Sequence, residues 1–383
     1  MFMRIAMMTD SYFPTRDGVV TSIEATRKAL ETKGHDVLII APDPGKNDRM
    51  EGVHYLPARK FKGYDGYFVP IYPSDKISLL RSLDVDVIHV HGIALMAIKA
   101  MSAARALRKP VVITFHTMIG DTLEYYSPVP IPAPILEKLA WIYLRSLLRR
   151  ADGIIAPTAS TASELRRNGV TAREMRIVPT GIDTVRFSTD ADGQRIRERY
   201  GLKGKTAIHV GRMSYEKNID VVLRAAAEID DLTLMIVGKG PARSDFEGLA
   251  KELGISDRVI FTGFVPDEEL PEYYAAADVA VSASKFETQG LSVLEAMSCG
   301  LPVACTKDRA FEDFIVDREN GIFFEGGASE CAAAIRECLS SGDALRAGAR
   351  GAAETFSLSA SADAHIALYD HVIAAKRKRL GDP

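Results

Sequence analysis

The chain is poor in cysteine and tryptophan and has no long apolar run. Its four cysteines, Cys299, Cys305, Cys331 and Cys338, all fall in the second half of the 383 residues, and none forms a Cys-x2-Cys pair. That excludes a zinc ribbon or a disulfide framework and leaves them as small buried hydrophobes. No stretch reaches 18 apolar residues, and Arg4 interrupts the opening run after three, so neither a membrane-spanning helix nor a signal peptide is expected. The protein is predicted to be cytoplasmic, or peripheral on a membrane. Gly238-Lys-Gly240-Pro241 lacks the third glycine of a dinucleotide fingerprint, which speaks against NAD. The acidic pair Asp84-Val-Asp86 leads directly into the apolar run Val87-Ile-His-Val90 and reads as the polar entry of a strand, so no metal and no cofactor are expected.

What is present describes two ordinary globular domains, with 47% hydrophobic and 26% charged residues. Strand and helix patterns alternate in both halves. Strands are predicted at 3–9, 36–41, 86–91, 110–116 and 152–157, then at 205–211, 232–238, 258–262, 277–283 and 301–305. Helices are predicted at 19–33, 93–108, 134–150 and 160–168, then at 217–230, 243–253, 267–276, 290–299, 329–353 and 359–378. Repeated βα order predicts an α/β fold with parallel sheets covered on both faces. The net charge of −3 hides an asymmetry: residues 1–185 carry 24 Lys and Arg against 19 Asp and Glu, which is +5, and the remainder is −8. A basic half without a long basic run, in a chain that is acidic overall, fits an anionic surface better than a nucleic acid.

Most of the chemistry lies in Ser284-Lys-Phe-Glu-Thr-Gln-Gly-Leu-Ser-Val-Leu-Glu-Ala-Met-Ser-Cys-Gly-Leu-Pro-Val303. The residues before it read as a buried strand, and Leu291, Leu294 and Met297 have helical spacing until Gly300 and Pro302 stop the helix. Glu287 therefore falls in a loop at the carboxyl end of a strand, where open α/β sheets bind ligands, and Glu295 lies one or two turns into the helix. Gly290 and its neighbours place backbone N–H groups at the helix start, which favours phosphate. Carboxylates flanking such a site suit the hydroxyls of a sugar nucleotide. In a second strand-loop-helix unit, Arg212 and Lys217 share one loop and can neutralise a diphosphate, the first with a planar fork and the second with a mobile point charge. In a third, Gly18 precedes the opening helix and permits close backbone approach. His116 ends an apolar strand at the same kind of carboxyl edge.

Taken together, these segments resemble glycosyltransferase family 4. Glu287-x7-Glu295 is similar to its carboxylate signature, and Gly211-Arg212-x4-Lys217-Asn218 to its diphosphate loop. The opening segment from Asp10 resembles its amino-terminal signature, with the usual Gly-Gly pair appearing as Asp17-Gly18. That segment and the Glu-Thr-Gln-Gly form of the carboxylate motif match the branch that glycosylates membrane lipids. The resemblance implies the GT-B architecture, two Rossmann-like βαβ domains facing each other across a cleft. Residues 1–181 would bind the acceptor, residues 182–358 the nucleotide sugar, and the helix within 359–383 would cross back to the first domain. It also implies a retaining, metal-independent hexosyltransferase. Arg212 and Lys217 would stabilise the departing diphosphate, Glu287 would hold sugar hydroxyls, and Thr288, Gln289, Gly290 and Leu291 would complete the donor loop. Glu295 would hold the ribose, Gly263 and Val265 the base, Gly18 would approach the donor, and His116 would contact the sugar near the reacting carbon.

The lipid-branch resemblance and the basic first half predict a glycerolipid acceptor such as diacylglycerol, at the inner face of the cell membrane. Three segments are candidates for headgroup contact. They are Arg59 to Phe68, the amphipathic stretch from Pro134 to Arg150 with Trp141, and the basic run Lys376 to Arg379. A soluble or polyprenyl-linked glycan acceptor, a noncatalytic sugar-binding protein and a sugar-nucleotide epimerase are the competing readings.

Overall fold

The computed structural model describes residues 2–15, 17–60, 68–71, 76–116 and 133–381. The chain divides into two compact units, Met1–Gly181 with Leu358–Pro383, and Ile182–Ser357.

In the first unit the strands are β1 (Arg4–Thr9), β2 (Asp36–Pro42), β3 (Val53–Leu56), β4 (Ala58–Lys60), β5 (Phe68–Pro70), β6 (Val87–His91), β7 (Val111–Thr114), β8 (Gly153–Ala156) and β9 (Met175–Ile177). Seven of them form one sheet in the order β3-β2-β1-β6-β7-β8-β9, and every pairing in it is parallel. β4 and β5 form a small antiparallel pair. Side chains alternate across this sheet. Ile5 and Met7 enter one core with Ile23, Leu30, Leu368 and Tyr369, while Ala6 and Met8 enter another with Met96, Ala100 and Leu144. Each fully buried aliphatic side chain contributes about 1.5–3 kcal/mol, so a strand with two buried faces is fixed without help from its loops. The last helix, Leu358–Leu380, belongs to this unit: Leu368 and Val372 pack on Gly153, where an added Cβ would lie 3.3 and 3.2 Å from them.

In the second unit β10 (Lys205–Val210), β11 (Leu232–Val237), β12 (Val259–Gly263), β13 (Val279–Ser282), β14 (Val303–Thr306) and β15 (Ile322–Phe324) form a parallel sheet. Its order is β12-β11-β10-β13-β14-β15, again with separate cores on its two faces. Both sheets reverse their strand order once beside the first strand of the unit, between β1 and β6 and between β10 and β13. Loops on either side of such a reversal leave a crevice at the carboxyl ends, and this positions the site.

Three expectations are corrected. The stretch 329–353 is two helices, Ala328–Ser340 and Gly342–Glu354, because Gly342 takes φ +68°, which ends the first. β3, β9 and β15, of three or four residues each, extend the sheets where no strand was predicted, since runs so short carry no readable period. The helix Gln194–Tyr200 was also missed. Of the candidate headgroup segments, 61–67 lie outside the described residues, while the stretch from Pro134 falls in the helix Ala133–Leu148. Asp86 accepts the Arg4 amide at 2.8 Å at the amino end of the sheet, consistent with its reading as a strand entry.

Candidate active site

The loops after β10 and β13 meet at the strand reversal of the second unit. Lys217 Nζ lies 2.5 Å from Glu287 Oε1, and both side chains are about four-fifths buried, 20% and 19% exposed. Asn218, held at φ +48°, sends its Nδ2 to Ala283 O at 3.0 Å and ties the same two loops together. An ammonium and a carboxylate are thus fixed side by side at the carboxyl end of a sheet, with a helix start beside them. That helix, Leu291–Ser298, begins after Gly290 at φ +79°, and no side chain caps it. A Cβ on Gly290 would lie 2.5 Å from the Phe311 ring, so only glycine fits there. An uncapped N-terminus next to a lysine is an anion site by geometry and charge together.

Arg212 lies on the same loop as Lys217, and the backbone around it is stitched to the loop after β11. Met213 N donates to Lys239 O at 3.0 Å, and Ala242 N donates to Met213 O at 3.1 Å. Gly238 and Gly240 permit this approach. A Cβ on the first would stand 2.0 Å from Gly211 O, and one on the second 2.1 Å from Met213 O. The two glycines that fall short of a dinucleotide fingerprint therefore serve loop packing. Gly263, at φ +73°, ends β12 next to them, and Val265 is buried beyond it.

Glu295 faces inward one turn into its helix, where Tyr274 OH donates to its Oε2 at 3.0 Å. Burial raises its carboxyl pKa to about 7, against the opposing pull of Tyr274 and Arg186. Thr288, Gln289 and Leu291 stand between the two glutamates, with Gln289 fully buried. The sequence reading passed over three polar groups at these carboxyl ends. His209 Nδ1 donates to Val281 O at 3.0 Å, and burial lowers its pKa to about 4, so the ring is neutral with its Nε2 turned beneath Gly211. Among the described residues His209 Nε2, Ser284 Oγ and Asp308 Oδ2 are buried without a hydrogen-bond partner. A histidine inside an apolar strand was the one available signal for this cluster.

In the first unit, the reversal between β1 and β6 brings Asp10 and His91 together with the end of β7. Asp10 accepts the amides of Ala94 at 3.1 Å and Met96 at 2.9 Å, which fixes the start of the helix Leu95–Leu107. Burial raises its pKa to about 6 although both amides oppose this. His116 is placed by His91, whose Nδ1 lies 3.1 Å from His116 Nε2. Burial lowers the pKa of His116 to about 4, so it is neutral at physiological pH. Gly18 opens the helix Gly18–Thr32, but the Asp17 carboxylate already accepts the amides of Val19 and Val20 at 3.0 and 2.9 Å. The acid that replaces the usual first glycine is a helix cap. Arg212, Lys217, Gly263, Val265, Thr288, Gln289, Gly290, Leu291 and the two glutamates thus lie on the second unit, and Gly18 and His116 on the first. Among the described residues no three His, Cys, Asp or Glu side chains are grouped to hold a metal ion.

Each unit of the chain is matched by a family profile. A profile described as Glycosyltransferase Family 4 matches residues 16–186, and one described as Glycosyl transferases group 1 matches residues 192–354. The chain is 33% identical over 350 residues to an alpha-monoglucosyldiacylglycerol synthase of Streptococcus pneumoniae, covering 88% of this chain and 78% of the relative. It is 30% identical to a GDP-mannose-dependent alpha-mannosyltransferase of Mycobacterium tuberculosis, covering 85% of each. Among solved structures it is similar to Anabaena HepE in complex with UDP, with a TM-score of 0.75 and 18% identity over 96% of this chain and all of that one. At that identity the likeness speaks for the α/β GT-B fold alone.

Proposed function

Since the chain belongs to glycosyltransferase family 4, we propose that it moves a hexose, with retention of configuration, from a UDP- or GDP-hexose to a membrane glycerolipid such as diacylglycerol. The observation that carries the reading is the Lys217–Glu287 pair beside an uncapped helix start. A sugar diphosphate has its hydroxyls and its phosphates within a few ångströms, and it needs an acceptor group and a cation at that same spacing.

In the reaction the bond between the anomeric carbon and the diphosphate oxygen breaks as the acceptor hydroxyl oxygen bonds to that carbon on the same face. The hydroxyl proton passes to the departing diphosphate. Lys217, Arg212 and the first amides of Leu291–Ser298 stabilise charge that grows on the diphosphate, and this is where preorganised electrostatics lowers a barrier most. Glu287 accepts hydrogen bonds from sugar hydroxyls and Glu295 from the ribose, Gly263 and Val265 border the base, and neutral His116 contacts the sugar. No metal ion or cofactor enters this scheme.

Placement of the acceptor draws on the alpha-monoglucosyldiacylglycerol synthase relative and on an exposed apolar stripe. Ile135, Leu139 and Ile142, at 54, 53 and 48% exposure, share one face of the helix Ala133–Leu148, as on helices that lie at a bilayer surface. Among the described residues no helix is long and apolar enough to cross a membrane, and we assign the protein a peripheral position on the inner leaflet. The GDP-mannose-dependent relative favours a second reading, in which the donor is GDP-mannose and the acceptor another glycan or lipid. The test is release of nucleoside diphosphate from UDP-glucose, UDP-galactose and GDP-mannose, with and without anionic vesicles containing diacylglycerol, with the lipid analysed by mass. A vesicle-dependent lipid carrying one added hexose is expected. Turnover without a lipid product would remove the acceptor assignment.

A further inference from the structure

The amino ends of β7 and β8 border a groove of about 1150 Å3 in the first unit, with Val111 and Asp152 among its walls. His116 and Asp10 stand at the carboxyl ends of this sheet, so the length of a strand, about 13 Å for four residues, separates the groove from the candidate active site. Six cations line it: Arg105, Arg108, Arg149, Arg150, Arg173 and Lys376. Asp152 is the one acid in the lining, and it is already occupied. It accepts Arg173 at 3.0 Å and Lys376 at 3.1 Å, and it also pairs with Arg379. Among the described residues no hydrogen bond or ion pair engages the guanidinium groups of Arg105, Arg108, Arg149 or Arg150.

Basic residues at helix C-termini ordinarily offset the helix dipole, and three helices end here, Leu95–Leu107, Ala133–Leu148 and Leu358–Leu380. The magnitudes show that this is not the whole account. Three helix ends supply roughly −1.5 charges and Asp152 one more, so the six cations leave an excess of roughly +3.5. A concave wall focuses such a field on whatever enters it. The groove is also half apolar: Ile98, Met101, Leu147 and Leu380 line it. Helical spacing extends this amphipathic character along two helices. Leu95 and Ile98, 41% and 48% exposed, share a face with Arg105, while Ile135, Leu139 and Ile142 share one with Arg149. Each helix therefore leads from exposed apolar residues to an arginine at its end that has no ion pair among the described residues, which is the order of parts in an acidic lipid.

We propose that this groove is a ligand site separate from sugar transfer, which takes the phosphoryl group of an acidic phospholipid while the acyl chains follow the two apolar helix faces. Arginine forks suit a phosphate monoester, and the exposed aliphatic residues reject a purely polar phosphate. The site deepens the membrane placement given above. Its test reads binding alone, so its failure would leave the donor and acceptor assignments untouched.

The test is calorimetric titration of the full chain with dihexanoyl phosphatidic acid below its micellar concentration, beside dihexanoyl phosphatidylcholine, glycerol 3-phosphate and inorganic phosphate. The variants are the double Arg105→Glu/Arg149→Glu, at exposed positions without partners among the described residues, and Ile98→Ser. Phosphatidic acid should bind the native chain, and the double variant should bind it at least about tenfold more weakly with its melting temperature unchanged. Ile98→Ser should weaken phosphatidic acid and leave glycerol 3-phosphate as it was. Undiminished binding to the double variant, equal affinity for inorganic phosphate, or no saturable binding of phosphatidic acid would each overturn the assignment.

Discussion

His91 Nδ1 lies 3.1 Å from His116 Nε2, so the two imidazoles share one hydrogen and each fixes the tautomer of the other. Burial lowers the pKa of both, and both are neutral at physiological pH. His91 Nε2 is buried without a partner, and an empty lone pair costs less there than an N–H with no acceptor. His91 then donates from Nδ1, and His116 is left with its proton on Nδ1, the donor that the proposed sugar contact would use. We predict that His91→Leu lowers kcat by about tenfold and leaves donor KM nearly unchanged, because a donor group a fraction of an ångström out of place costs rate before affinity. His91→Asn, which keeps a donor, should recover part of the loss; steady-state kinetics of the two variants checks this, and equal loss in both would reduce His91 to a packing residue.

On the proposed function, the Lys217–Glu287 pair divides binding between phosphate and sugar. Lys217→Ala should lower kcat by about 10²–10³ and weaken the nucleoside diphosphate product, as loss of one preorganised charge partner does. Glu287→Gln should slow transfer without weakening the nucleoside diphosphate, since the lost carboxylate charge pairs with Lys217 and competes with phosphate for it. Calorimetry with the product and initial rates with the donor separate the two outcomes.

Glu295 gives the reaction a pH dependence whose sign follows from its raised pKa of about 7. If Glu295 holds the ribose as proposed, the ribose hydroxyls donate to an ionised carboxylate, so the donor binds the deprotonated form and its affinity rises with pH up to about 7 and levels off above. Donor KM should therefore increase several-fold between pH 8 and pH 6. Glu295→Gln should raise KM at pH 8 and remove the dependence; a profile unchanged in that variant would assign the titration elsewhere.

Glycine substitutions test the stitched loops. Gly240→Ala places a methyl 2.1 Å from Met213 O, a backbone atom that cannot rotate away, and should destabilise the second unit by about 1–3 kcal/mol while abolishing donor binding. Gly248→Ala, in the helix Arg243–Glu252 with nothing within 4 Å, should stabilise by about 0.5–1 kcal/mol. Thermal melts read both.

The parts of the site that were legible in the sequence share a cause. Lys217, Glu287 and Gly290 lie on strand-to-helix loops, where the switch from one period to another marks the loop and the residue types declare the chemistry. His91 ends β6, which also carries His89, and His209 lies near the end of β10; histidines set between aliphatic residues in a buried strand read as core. The helix-fixing role of Asp10 is not legible because its partners, the amides of Ala94 and Met96, are 84 and 86 residues away. The basic groove draws its arginines from separate segments at 105–108, 149–150 and 173, and only the fold gathers them. The break at Gly342 was lost because alanine-rich sequence on both sides keeps one helical period through it.

The return of the helix Leu358–Leu380 to the first unit sets the order in which the chain can finish folding. Tyr369 OH meets His89 Nδ1 at 2.7 Å across 280 residues of sequence, and Leu368 and Val372 complete the core that Ile5 and Met7 begin. During synthesis the second unit has all of its strands once residue 324 is made, and its cores need nothing from the last helix. The first unit, although translated first, waits with one face of its sheet only partly covered, by the helix Gly18–Thr32, until the carboxyl terminus arrives. A stop codon a few residues before Tyr369 would therefore damage the oldest part of the chain and spare the newest.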